Sequence, residues 1–143
     1  MRLPFQRLDP TAPLPEYAHP GDAGLDLRAN ADAVVAPGER VLVPTGLAVA
    51  IPEGHAGLVL PRSGLASRQG LTLANAPGLV DAGYRGEIVC AVVNLDPAQP
   101  VKIARGDRIA QLVIVPFVVT EPEAVDELPE TRRGRGGFGS TGL

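Results

Sequence analysis

Tryptophan is absent from the 143-residue chain, cysteine and methionine occur once each, and only three phenylalanines and two tyrosines are present. With hydrophobic residues at 45 % and aromatics at 3 %, any core must be built from Val, Leu, Ile and Ala. The lone Cys90 excludes an intramolecular disulfide, and its apolar neighbours mark it as a small buried hydrophobe. The two histidines, His19 and His55, are isolated and lack the spacing of zinc ligands. Both are expected at the surface, and neither supports a Ser–His–Asp triad. Excess positive charge is also missing. A net charge of −3 argues against sequence-independent binding to nucleic acid, which needs a basic face. No apolar run is long enough to cross a membrane, and Pro4, Pro10, Pro13 and Pro15 interrupt the segment after Met1. No signal peptide or membrane association is expected, and a cytoplasmic location follows as the default.

Helical periodicity is equally scarce. No sustained window places apolar residues at i, i+3, i+4 and i+7, and only residues 64–68 allow a helical turn or two. What the chain has instead is punctuation: 17 glycines and 15 prolines separate short Val/Leu/Ile runs. Pro37-Gly38, Pro52-Glu53-Gly54, Pro77-Gly78 and Asp96-Pro97 read as turns. Between them, residues 41–43, 47–51, 57–60, 71–73, 87–95, 101–104 and 109–119 read as strands. Short strands at such spacing predict an all-β sandwich, jelly roll or barrel. Residues 88–93 and 109–115 are apolar on both faces, so both faces need cover. That pattern predicts an oligomer with buried subunit contacts; a thick core within one subunit is the alternative.

From residue 121 the composition changes to Glu, Pro and Thr and then to Arg and Gly. Residues 1–120 are therefore read as a sheet domain and residues 121–143 as an arm. Its tip, Arg133-Gly134-Arg135-Gly136-Gly137-Phe138-Gly139-Ser140-Thr141-Gly142, combines adaptable backbone amides, guanidinium forks and one aromatic ring. Such a segment suits a lid over a flat, phosphorylated ligand, though disordered ends and RNA-binding tails share the composition. It is not a P-loop, because Ser140 stands where lysine is required.

Four further segments are unusually polar for this composition. In residues 23–29, Asp26 is framed by apolar neighbours, either as a turn or strand-edge carboxylate or as a ligand. In residues 61–66, Arg62, Ser63 and Gly64 precede a possible helix start, which reads as an anion site or as a plain Ser63 N-cap. In residues 75–88, Asp81-Ala82-Gly83-Tyr84 reads as a hairpin turn that can present Asn75, Asp81 and Tyr84 to one ligand. In residues 108–112, Gln111 interrupts a long apolar strand, and a buried amide without partners costs about 1–3 kcal/mol.

In their order and spacing these five segments resemble the motifs of the homotrimeric dUTPases, and the match spans nearly the whole chain. The resemblance implies a distorted jelly roll whose three copies share three active sites, with the arm of one subunit closing a site on another. It implies hydrolysis of dUTP to dUMP and pyrophosphate, with Mg²⁺ on the triphosphate. It makes Asp81 the base for a water attacking the α-phosphorus. Asn75 and the backbone from Gly78 to Ile88 would bind uracil, and Tyr84 would exclude a ribose 2′-hydroxyl. Arg62, Ser63, Gly64 and Gln111 would meet phosphates, and Asp26 with Gln111 would hold the hydrated metal. Arg133, Gly139, Ser140 and Thr141 would clamp the outer phosphates while Phe138 stacks on uracil. Arg135 and Val80 depart from the family pattern. Two relatives of the same fold are the alternatives. One is a zinc-independent dCTP deaminase, disfavoured by Ala91 where glutamate would stand; the other is a non-catalytic nucleotide-binding module.

Overall fold

The computed structural model describes residues 1–132 and 134, so the expectations placed on Arg133, Phe138, Gly139, Ser140 and Thr141 lie outside the described residues. The elements are β1 (Phe5–Arg7), β2 (Leu25–Arg28), β3 (Ala33–Val35), β4 (Arg40–Val49), β5 (His55–Pro61), α1 (Ser63–Gln69), β6 (Leu71–Leu73), β7 (Gly78–Val80), β8 (Glu87–Asn94), β9 (Val101–Ile103) and β10 (Arg108–Pro116). They form two four-stranded antiparallel sheets, ordered β1-β4-β8-β6 and β2-β10-β5-β7, with β3-β9 as a two-stranded ribbon. The all-β, jelly-roll-like fold follows from alternation: every second side chain of a strand enters the space between the sheets.

One core fills that space. Leu27, Val59, Val80 and Leu112 from one sheet meet Val43, Ile88, Cys90 and Val92 from the other. Its few large side chains are aliphatic, as the scarcity of aromatics requires. Cys90 is buried, and burial pushes its thiol pKa up to about 12. His19 is exposed, while His55 is half-buried at the start of β5.

Several expected boundaries move. Residues 41–43 and 47–49 belong to one strand, β4, which ends at Val49 and whose register against β8 slips between Pro44 and Ala48. The last strand stops at Pro116 rather than at residue 119, because proline lacks the N–H needed to continue a ladder. At three or four residues each, β1, β2, β3 and β7 are too short for an alternation to mark them. The turn at 81–84 does not join a hydrogen-bonded hairpin. Strand β7 pairs with β5 and β8 pairs with β4 and β6, so the chain crosses from one sheet to the other there.

Two polar clusters hold loops onto this frame. Asn94 is fully buried; its Nδ2 donates to Val35 O (3.0 Å) and Gln99 O (2.8 Å), and its Oδ1 accepts from Asp96 N (2.9 Å). Asp9 accepts from the Thr11 hydroxyl (2.7 Å) and amide (2.8 Å) and from Asn30 Nδ2 (3.0 Å), and pairs with Arg105 (2.9 Å). The Thr11 bonds above all hold its pKa down at about 2, from 3.8. Asn94→Ala should lower the free energy of unfolding in urea by about 1–3 kcal/mol, because the buried Val35 carbonyl and two part-buried groups lose their partner. Asp9, whose pKa is depressed on folding, contributes stability in full above its unfolded pKa. That contribution is lost as the pH falls from about 4 towards 2. Asp9→Asn should therefore flatten the acid limb of a thermal-stability profile over that interval and leave its slope near neutrality unchanged.

Candidate active site

The predicted residues gather in two concavities. The first, about 430 Å³, is lined by Asp26, Arg62, Ser63, Gly64, Gln111 and Arg68, among others. Its floor is set by register. On β10, Gln111 stands opposite Asp26 of β2 and Leu60 of β5, and Leu112 beside it enters the core. Asp26 and Gln111 therefore project from the outer face. Asp26 is only 9 % exposed and its carboxylate is engaged on both oxygens: Arg62 Nε approaches Oδ1 at 3.0 Å and Arg108 Nη1 approaches Oδ2 at 3.2 Å. Arg62 also donates to Arg108 O at 3.3 Å. One carboxylate thus holds two guanidinium groups side by side, an arrangement suited to several phosphate oxygens.

The amide of Gln111 finds the partner its burial demands, donating from Nε2 to Pro61 O at 3.1 Å. Its Oε1 lies against Gly24, where a Cβ would come within 2.5 Å. Glycine at 24 therefore sets where that oxygen sits. Ser63 is the first residue of α1 and not its N-cap; Arg62 holds the cap position in extended conformation and makes no side-chain cap bond. The exposed Ser63 hydroxyl stays at the rim. Gly64 lies beneath the Arg68 guanidinium, which a Cβ would meet at 2.8 Å.

The second concavity, about 220 Å³, is lined by Asn75, Gly78, Asp81, Tyr84, Glu87 and Ile88, together with Val89 and buried Cys90. It exists because β7 and β8 diverge, leaving a wedge between the sheets beyond the end of β6. Asn75 packs on Gly78, where a Cβ would meet its Nδ2 at 3.3 Å. Asp81 is exposed and its carbonyl accepts from Tyr84 N at 3.0 Å, closing the turn. Tyr84 lies over Gly86, whose missing Cβ leaves space for the phenol, and its Oη donates to Glu87 O at 2.9 Å.

Strand parity decides which backbone faces this concavity. Toward the β6 side, Ala91 O accepts from Ala74 N, Leu95 N donates to Gly70 O and Glu87 O accepts from Tyr84. Odd-numbered residues of β8 thus point their N–H and C=O that way. Strand β6 has already ended there, so Val89 presents its amide and carbonyl to the concavity. Ile88 faces the other way: its carbonyl accepts from the Thr45 hydroxyl at 2.7 Å and its side chain is in the core. Of the two neighbours, Val89 and not Ile88 turns its backbone toward this concavity.

Within one chain the two concavities are separate. Val80 pairs with Gly57, three residues along β5 from Leu60, and β7 and β2 are opposite edges of their sheet. At about 3.3 Å per residue and about 4.8 Å per strand, Val80 and Asp26 stand about 17 Å apart. Asn75, Gly78, Asp81 and Tyr84 are brought together, as are Asp26, Arg62, Gly64 and Gln111. The two groups are not brought to each other. Sequence reasoning missed Arg108 as a partner of Asp26, Gly24 as the seat of Gln111, and Val89. The first two lie inside segments already marked, but only register shows which side chains meet. Among the described residues no three His, Cys, Asp or Glu side chains cluster as a metal site, and no helix is long and apolar enough to cross a membrane.

Known proteins give this geometry a context. The dUTPase family model matches residues 11–142. A deoxyuridine 5′-triphosphate nucleotidohydrolase of Thermobifida fusca is 61 % identical over 142 residues, covering 99 % of this chain and 79 % of that one. Its counterpart in Corynebacterium glutamicum is 59 % identical over 136 residues, 95 % of this chain and 91 % of that one. Among solved structures, the Staphylococcus bacteriophage 80alpha dUTPase with dUpNHpp superposes with a TM-score of 0.90 at 33 % identity, covering 99 % of both chains. A mutant dUTPase from phage phi11 of S. aureus, whose structure describes coordination of a structural Mg(II) ion, gives 0.82 at 31 % identity over 89 % of this chain and 98 % of that one. With its family model spanning nearly the whole sequence, the chain belongs to the dUTPase family.

Proposed function

We propose that the protein hydrolyses dUTP to dUMP and pyrophosphate at sites assembled between copies of the chain, in the cytoplasm. The observation that carries this reading is the division of labour between the concavities. One offers a recessed backbone edge, an amide and a carboxylate; the other offers paired guanidinium groups. A nucleotide needs both, and about 17 Å between them in one chain favours a neighbouring copy as the source of the second. Apolar side chains on the outer faces support the same view: Leu42 is 68 % and Val89 43 % exposed within the single chain. A homotrimer closes such contacts in a ring.

In this reading the Val89 backbone, Gly78 and Asn75 read the Watson–Crick edge of uracil. Buried donors and acceptors reject a base that leaves them unpaired, by roughly 10⁴-fold. Tyr84 covers the face of the deoxyribose. Asp81 takes a proton from a water aligned with the α-phosphorus, and pyrophosphate leaves on the opposite side. Arg62, Ser63, Gly64 and Gln111 receive the phosphates, with Arg108 held ready beside Arg62 by Asp26. Residues 121–143 form an arm that closes the site: Arg133, Gly139, Ser140 and Thr141 on the outer phosphates and Phe138 on uracil.

The donor set fits a hydrated Mg²⁺. One carboxylate, Asp26, and one amide oxygen on Gln111 stand beside the phosphate-binding arginines. Mg²⁺ keeps several waters and takes few protein ligands, with substrate phosphates supplying the rest. Asp26 and Gln111 would hold it through its water shell, and when bound it would neutralise charge on the triphosphate. The protein's own part is positioning and electrostatics, as phosphoryl chemistry demands.

Pyrophosphate release should be rapid from dUTP with Mg²⁺ and at least about 10²-fold slower from dCTP, dTTP and UTP. Asp81→Asn should lower turnover of dUTP by about 10²–10⁴-fold while nucleotide affinity, read by calorimetry, stays within a few-fold. Full activity of that variant would remove Asp81 as the base. A chain ending at residue 132 should keep its melting temperature yet lose at least about 10²-fold in kcat/KM, because the clamp on the outer phosphates is gone.

A further inference from the structure

Glu87 draws no attention in the sequence, yet two hydrogen bonds of the base-side wall converge on it. Its carbonyl accepts from Tyr84 Oη at 2.9 Å, and its Oε1 accepts from Gly46 N at 2.7 Å. Gly46 belongs to the stretch of β4 where the register slips. Pro44 pairs with Val89 and Ala48 with Glu87, so residues 45–47 stand against Ile88 alone. A regular ladder cannot run through such a bulge. Side chains replace it: the Thr45 hydroxyl bonds Ile88 O at 2.7 Å, and the Glu87 carboxylate takes the Gly46 amide.

The bulge itself is fixed from behind. Gly46 has φ +70°, a conformation that favours glycine, and a Cβ there would meet Asn30 Nδ2 at 2.8 Å and Ala12 Cβ at 2.9 Å. Its carbonyl accepts from Leu8 N at 2.8 Å. A chain of direct bonds therefore runs from the N-terminal segment through Gly46 and the Glu87 side chain to the Glu87 backbone and the Tyr84 hydroxyl. Tyr84 is 45 % exposed and rests on Gly86, and its hydroxyl is tied to Glu87 O at 2.9 Å. Where Glu87 O sits therefore sets the height of the ring.

Resting on the function proposed above, we propose that Glu87 is a positioning residue for sugar selection. By anchoring to the Gly46 amide it holds the Tyr84 ring at the depth that leaves no room for a 2′-hydroxyl. UTP exceeds dUTP by that one oxygen, so a ring displaced outward by roughly 1 Å begins to admit it. The side chain acts through Tyr84 and touches no reacting atom.

The test is the ratio of kcat/KM for dUTP to that for UTP, with Mg²⁺, in the full-length protein. Glu87→Ala removes the anchor; Glu87→Asp keeps the charge but cannot span to Gly46 N; Glu87→Gln keeps an acceptor at full reach. The ratio should fall by about tenfold in the Ala and Asp variants and stay within about twofold of wild type in the Gln variant. A residue that only stabilised the fold would lower both rates together and leave the ratio untouched, and that result would overturn the proposal. Should Glu87→Ala not fold, Glu87→Asp decides alone. Tyr84→Phe should lower the ratio similarly, and adding Glu87→Asp to it should cost nothing further; multiplying losses would mean that Glu87 acts elsewhere. A wild-type protein without preference for dUTP over UTP would refute the underlying function itself. A preference retained in both anchor variants would refute this inference alone.

Discussion

Between Val80 and Glu87 the chain leaves one sheet and enters the other, and the concavity lined by Asn75, Asp81 and Tyr84 depends on that crossing. Had β7 and β8 paired as a hairpin, each would have satisfied the other's backbone and no polar edge would be left for a ligand. Their divergence opens a wedge into which Val89 turns its amide and carbonyl, beyond the end of β6 and near Asn75. The wedge is affordable because both strands still bury alternate side chains in a shared core, with Val80 on one side and Ile88 and Cys90 on the other. The wall of the wedge is thus backbone that the core has already made rigid.

The other concavity is ordered differently. Guanidinium groups placed near one another repel unless a negative charge lies between them. Asp26 solves the problem by lying between Arg62 and Arg108, at 3.0 and 3.2 Å, on an edge strand with little exposure to water. Partial burial strengthens such pairs relative to surface ones and orders both side chains before any anion arrives. The same row of the sheet seats Gln111 on Gly24, so a carboxylate, an amide oxygen and two cations are aligned by register alone.

Much of this was legible before any coordinates. Clustered Val, Leu and Ile between glycine and proline turns announced an all-β chain, and β6 fell where residues 71–73 placed it. The segments around Asp26, Arg62, Asn75 and Gln111 stood out because polar side chains interrupted apolar runs. The one-residue difference between Ile88 and Val89 has a physical reason. Ile88 and Val89 lie in the same apolar run, and only strand parity reveals that the Ile88 carbonyl turns toward Thr45 and Val89 turns toward the wedge. Likewise, Asp81-Ala82-Gly83-Tyr84 has hairpin composition, and nothing local tells a hairpin from a crossing between sheets. Partners for Asp26 were invisible for the same reason: Arg108 lies 82 positions away and arrives only through pairing of β2 with β10.

Cys90 sits in the wall of the wedge, 1 % exposed, with a thiol whose pKa burial raises to about 12. Near neutrality almost none of it is thiolate, and no reagent reaches it while β8 remains seated. Alkylation of this single sulfur therefore clocks the breathing of the wedge wall itself, a built-in stopwatch that requires no engineered label.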